Sequence, residues 1–255
     1  MRFVGLVKHE LARLLVRRRL YLLTVGMALV GASGIVSDSH GLVSSTAGTM
    51  SPTAPMLLFG MLDQLAFLFI LWPVAVGGTL AEDVGSDLKS LLVTRAGSRI
   101  AWLGSKVVAA FLTSAVAFAA IAATWGATAL IISPWRLAGL SGVVTFGGGV
   151  AERHPLILIG FVLVVLAVAA TCVATVSSVI GAATGSPASS QVGASIVYLV
   201  CIFTAPRQFN PLSRASMLSL SAPWMTPASV VWYWSTGLVL LVAVAYAVIR
   251  WNEAR

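Results

Sequence analysis

Residues able to do chemistry are few in this sequence, and most of them crowd into one place. Residues 81 to 106 read AEDVGSDLKSLLVTRAGSRIAWLGSK, with acids at Glu82, Asp83 and Asp87 and bases at Lys89, Arg95, Arg99 and Lys106, between two apolar runs. A carboxylate and an amide, Asp63 and Gln64, lie inside one of those runs. Acid–base or hydrolytic chemistry at membrane depth needs two acids, a Glu/His cluster, or a serine with a base. Only Asp63 is placed deeply enough, so an intramembrane enzyme is poorly supported. His9, His40 and His154 are scattered and form no H-E-x-x-H, and Cys172 and Cys201 sit in apolar runs without the spacing of a metal site. The chain also has no G-x-x-x-x-G-K-[ST]: GSRIAWLGSK has the wrong spacing, and Gly147–Gly149 falls in a loop. A P-loop for ATP is therefore missing.

Composition says what surrounds these residues. The 255-residue chain is 58% hydrophobic and 9% charged, with a mean hydropathy of +0.97. Soluble domains carry roughly 25% charged residues, so most of this surface must face something other than water. Apolar runs of about 18 residues or more mark membrane helices, and several are present. The expected class is an all-α polytopic membrane protein. The net charge of +8 reads as membrane topology rather than nucleic-acid binding, because Lys and Arg collect beside spans on the cytoplasmic side.

Six spans are expected: residues 20–36, 56–80, 100–132, 156–184, 191–205 and 229–250. The first and fifth are short for a hydrocarbon core of ~30 Å, the third is long enough to tilt or protrude, and Pro73 is expected to kink the second. With the N-terminus inside, 12 of the 16 Lys and Arg residues lie on the inner face; only Arg136, Arg153, Arg207 and Arg214 lie outside. Both termini are then cytoplasmic. Tyr21, Trp102, Trp135, Trp224 and Trp251 fall at span ends, whereas Trp72 and Trp125 lie deeper and fill helix contacts. The basic start and apolar run also resemble a secretory signal, but 19 residues precede the run, which is long for a signal's basic region. It is read as a retained span. Asp63 lies roughly 12 Å from the outer end of the second span at 1.5 Å per residue. Intramembrane carboxylates face a cavity or a partner. Asp63 is thus either on a translocation path, with Gln64 beside it, or structurally paired.

Two amphipathic stretches flank this bundle. In MRFVGLVKHELARLLVRRRL, Val4, Val7, Leu11, Leu14 and Leu15 form a helical stripe, with Lys8, Arg13 and Arg17 turned away from it. Such a helix can lie in the interface as an elbow, its basic side toward anionic headgroups. In the charged loop, Val84, Leu88, Leu91 and Leu92 recur at helical spacing. Gly97 is a natural helix stop, and Ser98 can cap the next helix. The apolar ridge suits docking into a soluble partner's groove, or a connector lying on the membrane surface.

This order of features resembles the membrane subunit of a type-2 ABC exporter. The features are a basic amphipathic N-terminus, six spans, an acidic-Gly-Ser stretch after the second, then Arg-x-Gly-Ser-Arg and a Lys entering the third. The resemblance implies a cytoplasmic coupling segment at 81–99 that inserts into a separate ATPase. Glu82, Asp83, Gly85 and Ser86 match its first part; Ser98, Arg99 and Lys106 match the second, with Leu88, Leu91 and Arg95 on the intervening helix. The sequence departs from the family pattern in a slightly longer Gly85-to-Ser98 distance and in Ala96-Gly97 where Pro often stands. It further implies an elbow over 1–19, a transmembrane domain over 20–255, and an outer segment of re-entrant or surface helices at 206–226 that caps the exit path. The expected function is ATP-driven export of an amphipathic drug, peptide or lipid across the bacterial cytoplasmic membrane. ATP and Mg would be bound by a pair of partner ATPase subunits, and no cofactor by this chain. A second copy or a homologous permease would complete the usual twelve spans. The competing readings are the intramembrane enzyme and an ion-coupled transporter; the latter would show inverted repeats and several intramembrane charges.

Overall fold

In a computed structural model, residues 3–45, 53–84, 96–137, 153–215 and 225–253 are described. They form helices α1 (Phe3–Leu15), α2 (Arg18–Ser45), α3 (Ala54–Leu62), a 3-10 segment (Asp63–Ile70), α4 (Trp72–Val76) and α5 (Thr79–Val84). These are followed by α6 (Arg99–Ile132), α7 (Pro155–Thr184), α8 (Pro187–Thr204), a 3-10 turn (Arg207–Phe209), α9 (Pro211–Ala215) and α10 (Pro227–Glu253). No strand occurs among the described residues. Five helices are long and apolar enough to cross a membrane: α2 over Arg18–Ser37, then α6, α7, α8, and α10 over Pro227–Trp251. The chain is an all-helical membrane protein.

These helices stand close to the bounds expected for spans one, three, four, five and six. The first is longer than expected: α2 continues as helix to Ser45, because a helix closes its own backbone bonds and can run past the apolar window into polar sequence. Helix α7 is the central post, packed by α6, α8 and α10. Its apolar window is 56% buried against 17% for α2 and α10, which places the latter two at the lipid-facing rim. Leu22, Val25, Leu29, Val239, Leu240 and Val244 project outward there. A patch of that kind has no place in water.

The second apolar stretch is not one kinked helix. It is a helix pair, Ala54–Ile70 and Trp72–Asp83, bent by 60° at the break. Pro73 stands at the start of α4, where its missing N–H costs least. A second interruption follows at Gly77 and Gly78, the latter with φ of +86°. Each break frees backbone carbonyls, which inside a bilayer must find other donors. Tyr198 of α8 donates its hydroxyl to Ala66 O at 3.3 Å. Gly77 O accepts from Arg17 at 2.8 Å and from Gln191 Nε2 at 3.5 Å. The break is therefore held from outside, by α8 and by the corner between α1 and α2.

Around it lies the main core. Trp72 and Trp125 are fully buried. Trp72 packs on Phe118 with ring centroids 4.9 Å apart and donates its indole N–H to Ser114 Oγ at 3.0 Å. Trp102 corrects the aromatic-belt expectation: it is buried with Leu80, Leu103, Ala182, Ala245 and Ile249 in a second, smaller core. Tyr21, Trp135 and Trp251 do face outward, and Trp224 lies outside the described residues. In the segment expected outside, Arg214 is buried and folds back, donating to Gln208 O at 2.8 Å and Ser229 Oγ at 3.0 Å. Residues 216–224 of that segment lie outside the described residues.

Candidate functional site

At one end of the bundle three elements meet: helix α1, the short α5 that closes the second apolar stretch, and the first turns of α6. Each brings charges, and the charges interlock. Lys106 Nζ lies 3.0 Å from Glu10 Oε1 and 2.5 Å from Asp83 Oδ2. Arg13 reaches Asp83 at 2.5 Å and Glu82 at 2.6 Å. Arg17 reaches Glu82 at 2.8 Å while holding Gly77 O. Three acids thus face three bases across the junction. Glu10, Asp83 and Lys106 are nearly fully buried. A buried charge is tolerated when it is paired, and each of these three has an opposite charge within 3.0 Å. Trp102 lies under Lys106, with Nζ 5.5 Å from its ring centroid, adding a cation–π contact. Burial alone lowers the Arg13 guanidinium, but the hydrogen bond and charge of Asp83, with Glu10 and Glu82 behind it, outweigh that and hold its pKa above the ordinary value.

The pairing turns α1 partly off the expected stripe: Leu14 is buried and Leu11 packs against the core, but the rest shifts. Leu6, Glu10 and Leu14, at steps of four, form its buried line; Val4 is 62% exposed and Leu15 is 36% exposed. The correction has a clear cause. An acid at the centre of the helix, Glu10, has a buried cation waiting on α6, and that pair sets the rotation. Arg13 and Arg17, expected to face headgroups, are instead taken up by Glu82 and Asp83. The signal for Glu10 was available: it is the lone acid in a basic helix, four residues from both Leu6 and Leu14.

The residues singled out from sequence are distributed as follows. Glu82 and Asp83 lie at the end of α5, engaged as described, with Asp83 turned inward. Ser98 caps α6, its Oγ accepting from Ala101 N at 3.0 Å. Gly97 precedes it with φ of +73°, a conformation that favours glycine, and Arg99 opens the helix. Gly85, Ser86, Leu88, Leu91 and Arg95 lie outside the described residues, so the expected coupling helix falls there too. Asp63 opens the 3-10 segment, and its side chain is likewise outside the described residues. Gln64 is exposed on that segment and is not drawn into the charged junction. Cys172 and Cys201 are free thiols lining an apolar cavity of about 280 Å³ between α7, α8 and α10. Among the described residues no group of His, Cys, Asp or Glu could hold a metal ion.

Gly78 ties the broken stretch to this junction. Its φ of +86° is left-handed, and a Cβ there would lie 2.9 Å from Gln191 Nε2. Gly78→Ala is expected to cost about 1–2 kcal/mol from the backbone alone. The check is the thermal midpoint of the detergent-purified chain, compared with Gly60→Ala, where a Cβ meets nothing within 4 Å.

No family model matches the chain, and no characterised protein matches its sequence.

Proposed function

We propose that this chain is the membrane subunit of an ATP-driven exporter of the type-2 ABC class, moving an amphipathic substrate outward across a bacterial cytoplasmic membrane. The observation that carries the reading is the charged junction. The segment leaving the second apolar stretch is clamped by Glu82 and Asp83 to the elbow helix through Arg13, to the corner after it through Arg17, and to the next membrane helix through Lys106. A push on the loop after Val84 is therefore felt by α1, α5 and α6 together. That is the mechanical requirement on a chain with no P-loop that is driven by another polypeptide. In this reading Glu82 and Asp83 anchor the coupling segment, while the leucines beyond them, Leu88 and Leu91, press into the ATPase. The broken second stretch, whose Gly77 carbonyl is held by Arg17, passes the movement into the bilayer. A paired copy or homologous permease completes the pathway.

Co-purification from the native membrane tests the proposal. The chain is expected to bring down an ATP-binding subunit, and Leu88→Ala with Leu91→Ala to reduce that recovery at least about tenfold, since a docking leucine removed from an apolar groove loses roughly 1.5–3 kcal/mol. Membrane abundance of the chain should stay unchanged. Full transport by the chain alone in liposomes, without any ATPase, would sink the reading.

A further inference from the structure

The corner between α1 and α2 forms an open pocket of about 410 Å³, lined by Arg13, Arg17, Arg18, Arg19, Glu82 and Gln191. Its charges do not balance. Glu82 is already bound by Arg13 and Arg17, and Glu10 and Asp83 are satisfied by Lys106 and Arg13. Two guanidinium groups remain. Among the described residues Arg19 donates only to the neutral Gln191 Oε1, at 3.1 Å, and Arg18 has no acidic partner. Both are exposed. The first turn of α2 carries no acid, so the positive end of its helix dipole adds to the field. Arg18 and Arg19 also open a helix that is apolar enough to cross the membrane from Arg18 onward, and this sets the cavity at headgroup depth.

The geometry points to a binding site for a phosphate-bearing anion in this cavity, and its depth to the headgroup of an anionic phospholipid. Arginine forks bind phosphate oxygens in pairs, with geometry that a point charge lacks. Arg18 and Arg19 carry this recognition, while Arg13 and Arg17 are held back by the acids and shape the wall. A bound headgroup would bridge the start of α2 to α8 through Arg19 and Gln191, next to the break at Gly77. The inference goes beyond the transporter reading and stands without it.

The test titrates the full-length chain in neutral detergent with short-chain phosphatidylglycerol, phosphatidylcholine or inorganic phosphate, reading the thermal midpoint. Phosphatidylglycerol is expected to stabilise the wild type well beyond phosphatidylcholine. Arg18→Gln with Arg19→Gln should weaken that affinity about fivefold for each arginine lost. Lys8→Gln, which removes an exposed charge from α1 away from the cavity, should leave it unchanged. Arg18→Lys with Arg19→Lys keeps both charges and loses the forks, so it should fall between. If inorganic phosphate reproduces the effect in the wild type but not in the double variant, the phosphate site stands and its lipid source is overturned. Equal response to the two lipids, or an equal loss in Lys8→Gln, overturns the site. Unchanged affinity in the lysine pair overturns recognition by the forks.

Discussion

Replacing Lys106 with methionine is expected to destabilise the bundle by about 3–5 kcal/mol, the cost of breaking a buried ion pair from one side. The size follows from what is left behind. Glu10 Oε1 loses its partner at 3.0 Å, and its other oxygen, Oε2, is buried without a hydrogen bond. Asp83 retains Arg13, but the junction passes from neutral to one negative charge. Restoring neutrality should restore stability: Lys106→Met with Glu10→Gln is expected to recover more than half of the loss. Residues coupled in one network depart from additivity by 0.5–3 kcal/mol. Lys8→Met, on the exposed side of α1, should stay within about 0.5 kcal/mol of wild type. Thermal or denaturant unfolding in detergent reads all four chains. Should Lys106→Met and Lys8→Met prove alike, the junction contributes no stability and the mechanical role assigned to it falls.

The second large effect is expected deeper in the bilayer, where α2 crosses α6. A Cβ at Gly31 would sit 2.0 Å from Cε2 of Trp125. That ring cannot withdraw, because it is fully buried and its Nε1 donates to Met27 O at 3.3 Å and Ala28 O at 3.1 Å. Gly31→Ala must push the helices apart, and overpacking of this kind costs about 1–3 kcal/mol. Two glycines on the same helix calibrate the effect. At Gly34 the added Cβ meets the terminal methyl of Met61 at 2.4 Å, the end of a flexible side chain that can swing aside. At Gly26 it meets nothing within 4 Å. In a helix interior, alanine is favoured over glycine by about 1 kcal/mol, so Gly26→Ala should be neutral or stabilising, Gly34→Ala close to neutral, and Gly31→Ala damaging. Folded yield and thermal midpoint give the order. If Gly31→Ala matched Gly26→Ala, the close crossing of α2 on α6 would be refuted.

Much of the architecture was legible from local pattern. Hydropathy summed over a window is a property of neighbouring residues, and it placed five membrane helices close to their observed ends. Gly97 and Ser98 were readable as a stop and a cap, because both roles depend on the backbone within a turn. Trp72 and Trp125, deep in apolar runs, were recognisable as core.

What failed to show itself depends on residues far apart in the chain. Arg13 and Glu82 are 69 positions apart, and Glu10 and Lys106 are 96 apart. A helical wheel of α1 gives Arg13 and Arg17 a polar side without saying whether headgroups or carboxylates meet them. The second stretch misled for the same reason. Its composition reads as continuous helix with a proline kink, yet a double break is stable only because Tyr198, Gln191 and Arg17 arrive from other elements to receive its freed carbonyls. Local composition sets the solvent of this protein and the number of its greasy segments, since transfer from water to lipid is a sum over residues. Tertiary structure alone decided which charges are neutralised and which are left over. Pairing energy falls with distance and rises with burial, and both exist only after the helices have packed.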